Sequence, residues 1–335
     1  MAKNVTVVGA GSWGTALAQV LCDNQNNVKL YDLNQEIVDD INQNHHNSRF
    51  FADVQLPVGL VATTNLTEAL KDAQIILLSV PTKVIRDVLK TINEHLDHAV
   101  MIINASKGIE PGTHKRVSEI VAEEIDQTYL EAFVALSGPS HAEEVIERAL
   151  TTVTCAATVA DKANEIQKMF NNEYFRVYRV DDLIGVEIGG SIKNVIALAA
   201  GIIAGLGYGD NPKAALITRG LVEIKRLGAA VGAKEETFSG LSGLGDLIVT
   251  CTSVHSRNWQ AGYKIGSGSN LQEAIDSMTM VVEGVRTCQA TYEMAQALQI
   301  EMPIVETVYE VIFNKFDPRV AIAQLMTREM KPEFY

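Results

Sequence analysis

Val5-Thr6-Val7-Val8-Gly9-Ala10-Gly11-Ser12-Trp13-Gly14 is the stretch that decides the fold. Its first four residues are a β-branched run of strand length. Beyond the turn, Ala16, Leu17, Val20 and Leu21 recur at helical spacing. Gly-x-Gly-x-x-Gly alone is a weak pattern, and an ordinary glycine-rich loop is its plain alternative. Between a strand and a helix it is a dinucleotide-binding fingerprint. Each glycine has a steric reason: Gly9 permits the tight turn, Gly11 lets backbone approach a pyrophosphate, and Gly14 lets the helix pack against the sheet. The free N–H groups at the helix start then hold phosphate oxygens.

The same alternation continues outward. Val28–Tyr31 reads as a second strand and Gln35–Asn44 as a helix. Ile75–Val80 is an apolar run of strand length stopped by Pro81, and Ala99–Asn104 is another. Such runs suit strands buried on both faces of a parallel sheet. Thr82–Leu96 and Val117–Ile125 have helical periodicity. Phe133–Leu136, Thr151–Ala157 and Phe175–Val180 read as strands, with a helix over Lys162–Phe170. The expectation is an α/β fold: an N-terminal Rossmann-type doubly wound parallel sheet. After Asp182 the strand-like runs give way to helical patterns at 190–205, 212–231, 285–298, 304–313 and 320–330. An all-helical C-terminal domain follows, and the expected division is 1–185 for the dinucleotide and 186–335 for substrate and catalysis.

Composition narrows the function. A net charge of −13 over 335 residues argues against a nucleic-acid partner, which needs a basic face. An anionic substrate would need a local cluster of cations. Cys22, Cys155, Cys251 and Cys288 are scattered, so they read as reduced packing residues of a cytoplasmic protein, with no metal site. The chain enters a strand almost at once, and no signal peptide is expected. The apolar stretch Val195–Leu206 is shorter than the roughly 20 residues of a membrane span, so no span is expected.

Several further residues carry chemistry. Asp32 ends the second strand, where a carboxylate accepts the ribose hydroxyls of NAD and repels the 2′-phosphate of NADP. Lys107, in Ser106-Lys107-Gly108, follows a buried strand at the edge where ligands bind. Lys193 lies inside an apolar helix. Desolvation there lowers its pKa and suits it to trade protons with a hydroxyl or carbonyl. Gly243-Leu244-Gly245-Asp246 is a tight glycine turn, and Arg257 and Asn258 after Ser256 are suited to grip a phosphate. No P-loop or Gly-x-Ser-x-Gly elbow is present. His45, His46, His141 and His255 lack metal-ligand spacing and read as solvated or capping residues.

In order along the chain, these motifs, with Ser137-Gly138-Pro139-Ser140 and Val282-Glu283-Gly284, resemble the soluble NAD(P)-dependent glycerol-3-phosphate dehydrogenases, particularly the bacterial form. The resemblance runs nearly end to end. It implies reversible hydride transfer between NAD(P)H and dihydroxyacetone phosphate, giving sn-glycerol 3-phosphate for phospholipid synthesis. By motif it makes Lys193 the general acid/base, with Lys107 and Asp246 as its polar partners and substrate contacts, Lys107 reaching the cofactor as well. It assigns Gly138, Ser140, Ser256, Arg257 and Asn258 to substrate, and Ser12, Trp13, Ala142, Val281 and Glu283 to the cofactor, with Arg257 touching both. A homodimer follows by analogy. Many bacterial members carry an arginine after the second strand, and this chain has Asp32-Leu33-Asn34 there, so NAD(H) is expected to serve at least as well as NADP(H). Two rivals share parts of the pattern: a two-domain 3-hydroxy acid dehydrogenase and a non-catalytic NAD(H) sensor.

Overall fold

The opening strand β1 (Asn4–Val8) lies inside an eight-stranded sheet of order 3-2-1-4-5-6-7-8 in the computed structural model, which describes residues 2–278 and 281–333. Its neighbours are β2 (Asn27–Tyr31) and β4 (Ile75–Leu78), both parallel to it. Strand order reverses between β1 and β4, so a crevice opens at their carboxyl ends. The glycine turn after Val8 therefore sits where a ligand can enter.

Period-two burial explains the continuous apolar runs. Val7, Ile75, Leu77, Met101 and Ile103 join one core cluster. Val8, Ile76, Leu78, Val100 and Ile102 join another on the opposite face. Each strand thus needs apolar residues at every position. The covering helices are α1 (Ser12–Asp23), α2 (Gln35–Asn44), α3 (Leu66–Leu70), α4 (Ile85–His95), α5 (Val117–Glu124), α6 (Ala142–Ile146) and α7 (Ala160–Phe170). The remaining strands are β3 (Val61–Thr63), β5 (Val100–Asn104), β6 (Leu130–Ser137), β7 (Thr151–Ala157) and β8 (Phe175–Arg179).

The parallel expectation holds through β6 and then fails. β7 pairs antiparallel with β6, and β8 pairs parallel with β7. The connection 138–150 carries only the short α6 and never crosses back to the amino end of the sheet. A parallel neighbour would need a full crossover. The consequence is local: residues 138–143 stay at the crevice edge.

The helical half is built around α8 (Leu183–Gly205), buried on all sides from Gly185 to Ile203. It starts earlier than the apolar pattern implied, because Asp182 caps it by accepting a hydrogen bond from the Gly185 N–H at 2.9 Å. At 23 residues it is long and apolar enough to cross a membrane by length and composition, unlike the shorter stretch read from sequence. Its most apolar window is 83% buried inside the protein, which identifies it as a core helix. Around it stand α9 (Asp210–Ala230), α10 (Asp246–Thr252), α11 (Arg257–Gly266), α12 (Leu271–Asp276), α13 (Glu283–Leu298), α14 (Pro303–Phe313) and α15 (Pro318–Met326). α8 and α11 touch through glycines: a Cβ on Gly201 or Gly262 would overlap backbone of the other helix. That close approach brings the start of α11 beside Lys193 and Asn194.

Candidate active site

A cavity of about 510 Å³ runs from the Gly9 turn to the start of α11. At the end by the glycine turn, Gly9 has φ +104°, and a Cβ there would lie 2.7 Å from the Ser79 carbonyl oxygen. A Cβ on Gly14 would overlap the Gly9 carbonyl, whereas Gly11 faces open space. Gly11 is the N-cap of α1 and supplies no capping side chain, so the first amides of α1 remain available to phosphate. Trp13 lines the cavity with its indole N–H buried and without a hydrogen-bond partner among the described residues. Buried polar atoms are rarely left so, and a bound dinucleotide fits the vacancy in its bonding. Asp32 is held at the rim: its carboxylate accepts from the Ala10 N–H at 2.7 Å and the Asn34 N–H at 2.9 Å. Each oxygen keeps a lone pair for a ribose hydroxyl.

Further in, three charged side chains converge from three elements. Lys193 comes from α8, Asp246 is the first residue of α10, and Lys107 lies after β5. Asp246 is 0% exposed and Lys193 7%. One carboxylate oxygen of Asp246 accepts from Lys107 Nζ at 2.7 Å and the other from Lys193 Nζ. Lys193 also donates to Thr250 Oγ1 at 2.7 Å, and Lys107 to the Gly138 carbonyl at 3.1 Å. Burial lowers the Lys193 ammonium from 10.5 to about 7, and Lys107 pushes the same way against the pull of Asp246. Burial pushes the Asp246 carboxyl up, but the two ammonium groups outweigh it and hold it below the usual range. A lysine balanced near neutrality can both give and take a proton.

At the far end Arg257 is the first residue of α11, behind its N-cap Ser256, whose hydroxyl accepts from the Trp259 N–H. The guanidinium makes no hydrogen bond among the described residues, and burial lowers its pKa against the pull of Glu143 and Glu283. A largely buried, unbonded guanidinium on a cavity wall is a ready anion site. Glu283 also lines the cavity, and its carboxylate accepts from the Thr82 N–H at 3.0 Å and from the Thr82 hydroxyl. Asn258 is committed on both sides, donating to Asn194 Oδ1 at 2.9 Å and accepting from the Gly284 N–H at 2.8 Å. It ties α8, α11 and α13 together.

Of the residues singled out from sequence, all line this cavity except Gly14 and Gly138. Gly14 packs on the turn. Gly138, at φ +146°, holds Lys107 and the Ser140 hydroxyl through its carbonyl. Sequence reasoning missed Thr250, although it stands four residues after Asp246 on the same helical face. It read two histidines only as solvated or capping and missed that they line the cavity. His141 occupies the N-cap position of α6 without a side-chain cap bond, and His255 is exposed, yet both line the cavity. Their ring centroids stand 6.1 Å apart. Among the described residues no three His, Cys, Asp or Glu side chains group to hold a metal ion.

Comparison with known proteins agrees with this geometry. Residues 4–163 match the family model of the NAD-dependent glycerol-3-phosphate dehydrogenase N-terminus, and residues 182–323 that of its C-terminus. A Bacillus cereus (strain B4264) protein named glycerol-3-phosphate dehydrogenase (NAD(P)+) is 54% identical over 98% of this chain and 97% of its own length. The crystal structure of glycerol-3-phosphate dehydrogenase from Coxiella burnetii superposes with a TM-score of 0.93 at 36% identity, covering 98% of this chain and 99% of that one. The Saccharomyces cerevisiae glycerol-3-phosphate dehydrogenase superposes with a TM-score of 0.83 at 28% identity, covering 98% and 100%. Such end-to-end matches do not favour the hydroxy-acid or sensor readings. The chain belongs to the NAD-dependent glycerol-3-phosphate dehydrogenase family and is an NAD(P)-dependent oxidoreductase that produces glycerol 3-phosphate.

Proposed function

We propose that Lys193 is the general acid/base of a reversible hydride transfer between NAD(P)H and dihydroxyacetone phosphate, giving sn-glycerol 3-phosphate. The observation that carries this is the buried Lys107–Asp246–Lys193 cluster on the wall of a cavity that also holds the glycine turn and Arg257. When bound, the reduced dinucleotide supplies a hydride to the carbonyl carbon of the substrate. Lys193 gives its proton to the carbonyl oxygen, so the new C–H and O–H bonds form together and the amine is left neutral. It regains a proton from water at the cavity mouth. Asp246 stays ionised throughout and fixes both lysines, while Thr250 Oγ1 sets the direction of the Lys193 ammonium. Arg257, with Ser256 at its helix start, meets the phosphate. Lys107, Gly138 and Ser140 support the substrate from the β5 and β6 edges, and Asn258 holds the wall behind it.

Ser12, Trp13, Ala142, Val281 and Glu283 are assigned to the cofactor, with Gly9, Gly11 and Gly14 shaping its pyrophosphate turn. Asp32 supports use of NAD(H) at least as readily as NADP(H), because its carboxylate would accept the ribose hydroxyls and repel a 2′-phosphate. Residues 1–185 would bind the dinucleotide and 186–335 the substrate; the first turn of α8 supports a division there. A homodimer is proposed by analogy with the family. Four free cysteines, three of them buried, support a reducing, cytoplasmic location.

The test is loss of absorbance at about 340 nm with dihydroxyacetone phosphate, run in parallel with NADH and NADPH. Oxidation of both, NADH at least equally, is the expected outcome. A Lys193→Ala protein that still binds NADH should turn over about 10²–10⁴-fold more slowly. Activity above a few per cent of wild type would overturn the assignment.

A further inference from the structure

We infer that His141 and His255 are a pair of donors to the substrate phosphate, additional to Arg257. This rests on dihydroxyacetone phosphate being the substrate. The reasoning starts from charge. The basic side chains lining the cavity are Arg49, Lys107, Lys193 and Arg257, and the carboxylates lining it are Asp32, Glu143, Asp246 and Glu283. These charges cancel. Both lysines already commit a donor to Asp246, and Arg257 lies in the field of Glu143 and Glu283. A phosphate monoester carries about −1.5 to −2 charges at neutral pH. In a chain of net charge −13, such a ligand needs donors beyond these basic side chains.

The two imidazoles are placed to supply them. His255 immediately precedes Ser256 and Arg257 at the start of α11, and His141 immediately follows Ser140. Their rings are tilted by 58° with centroids 6.1 Å apart, so they do not stack. At that spacing a nitrogen of each ring can reach one shared oxygen lying to the side of the line between the rings, at ordinary hydrogen-bond lengths of about 2.8 Å. The His255 ring makes no hydrogen bond among the described residues. The His141 ring has one long contact, Nε2 to the Val249 carbonyl at 3.4 Å. Two rings without a third ligand do not make a metal site. The groups around His141 are Lys193 from α8, Asp246 and the Val249 carbonyl from α10, Arg257 from α11, and Glu143 and Glu144 on α6. Burial, then Lys193, holds His141 toward its neutral form, so it can take up a proton as an anion arrives.

The experiment compares dihydroxyacetone phosphate with dihydroxyacetone, which lacks the phosphate, in His255→Asn, His141→Gln and the double variant. NADH binding checks that each protein is folded. We expect kcat/KM for the phosphorylated substrate to fall about tenfold in each single variant, mainly through KM. The loss with dihydroxyacetone should be at least fivefold smaller. Equal losses on both substrates would overturn the proposal, because the residues would then act on Lys193 or on the fold. No loss on either would overturn it equally. His255 is exposed, so His255→Asn decides the matter alone if the His141 variant does not fold. A wild-type protein inactive on dihydroxyacetone phosphate would instead remove the reading of the substrate, and this proposal with it.

Discussion

Replacing Asp246 with asparagine should move the working pH of the enzyme downward. The side chain keeps its shape and loses its charge, between two lysines that it alone bridges. Burial already lowers Lys193 to about 7, and Asp246 is the group that opposes the shift. An opposite charge within hydrogen-bond reach is worth about 1–3 pKa units. Its loss should therefore leave Lys193 with a pKa of about 4–6. At pH 7 the ammonium fraction then falls from about one half to between about one tenth and one thousandth, and reduction slows about 5- to 500-fold. The assay is kcat/KM for dihydroxyacetone phosphate with saturating NADH, from about pH 5 to 9, a ratio that reports the NADH-loaded enzyme before substrate binds. Reduction needs the ammonium, so the wild-type curve should fall above about pH 7 and the variant curve earlier. Oxidation of glycerol 3-phosphate needs the neutral amine, so its curve should rise through about pH 7 in the wild type and lower in the variant. Both inflections should move by the same amount, because one group titrates in both directions. A uniform drop at every pH, with the inflection still near 7, would refute the reasoning. Asp246 would then orient substrate without tuning Lys193.

Other expectations rest on separate parts of the molecule. Asp32→Arg removes the ribose acceptor and adds a cation beside the 2′ position, so the NADPH/NADH ratio of kcat/KM should rise at least about tenfold. An unchanged ratio would contradict the role given to Asp32. Arg257→Ala should raise KM for dihydroxyacetone phosphate about 10- to 100-fold, the usual worth of a hydrogen bond to a charged group, with a smaller effect on dihydroxyacetone. Glu223, 3% exposed on α9, accepts from the Ile304 and Val305 N–H groups at 2.7 and 3.2 Å and so caps α14 from outside. Burial pushes it up to about 7. Its folded pKa lies above its unfolded value, so its contribution to stability is complete below about pH 4.5 and declines as pH rises to about 7. Relative to Glu223→Gln, the wild type should lose about 3 kcal/mol of unfolding free energy across that window. Parallel pH curves in denaturant titrations would refute this.

What could be read from sequence divides along physical lines. The Gly9–Gly14 turn was legible because its steric demands are local. So were β4 and β5, whose unbroken apolar runs follow from two covered faces. The helix over Gln35–Asn44 was placed to the residue, since Asn34 caps it and its apolar spacing is clear. Lys193 was legible because an ammonium among isoleucines and alanines has few innocent explanations. The reversal of β7 was not legible, because strand direction depends on which edge of the sheet the 138–150 connection returns to. α10 and α12 are short, seven and six residues, and carry too few periodic positions to register. The encounter of His141 with His255 joins residues 114 positions apart through the packing of α6, α10 and α11, which no spacing encodes. The commitment of Asn258 to Asn194 and Gly284 was hidden for the same reason.

α8 behaves as a ruler. Near its start Val186 packs into the core beneath the sheet, and Glu187 accepts hydrogen bonds from the Ser118 N–H at 2.8 Å and from Arg116 at 3.0 Å. Less than two turns later the same rod presents Lys193. The lysine is therefore indexed to the sheet half of the molecule, through α5 and the core it shares, by unbroken helix, with no hinge in between. One residue inserted or deleted between Glu187 and Lys193 would turn the ammonium about 100° around the axis and shift it about 1.5 Å along it, away from Asp246. Length changes in this lineage belong in surface loops, and chimaeras between relatives will work only when the splice leaves 187–193 from a single parent.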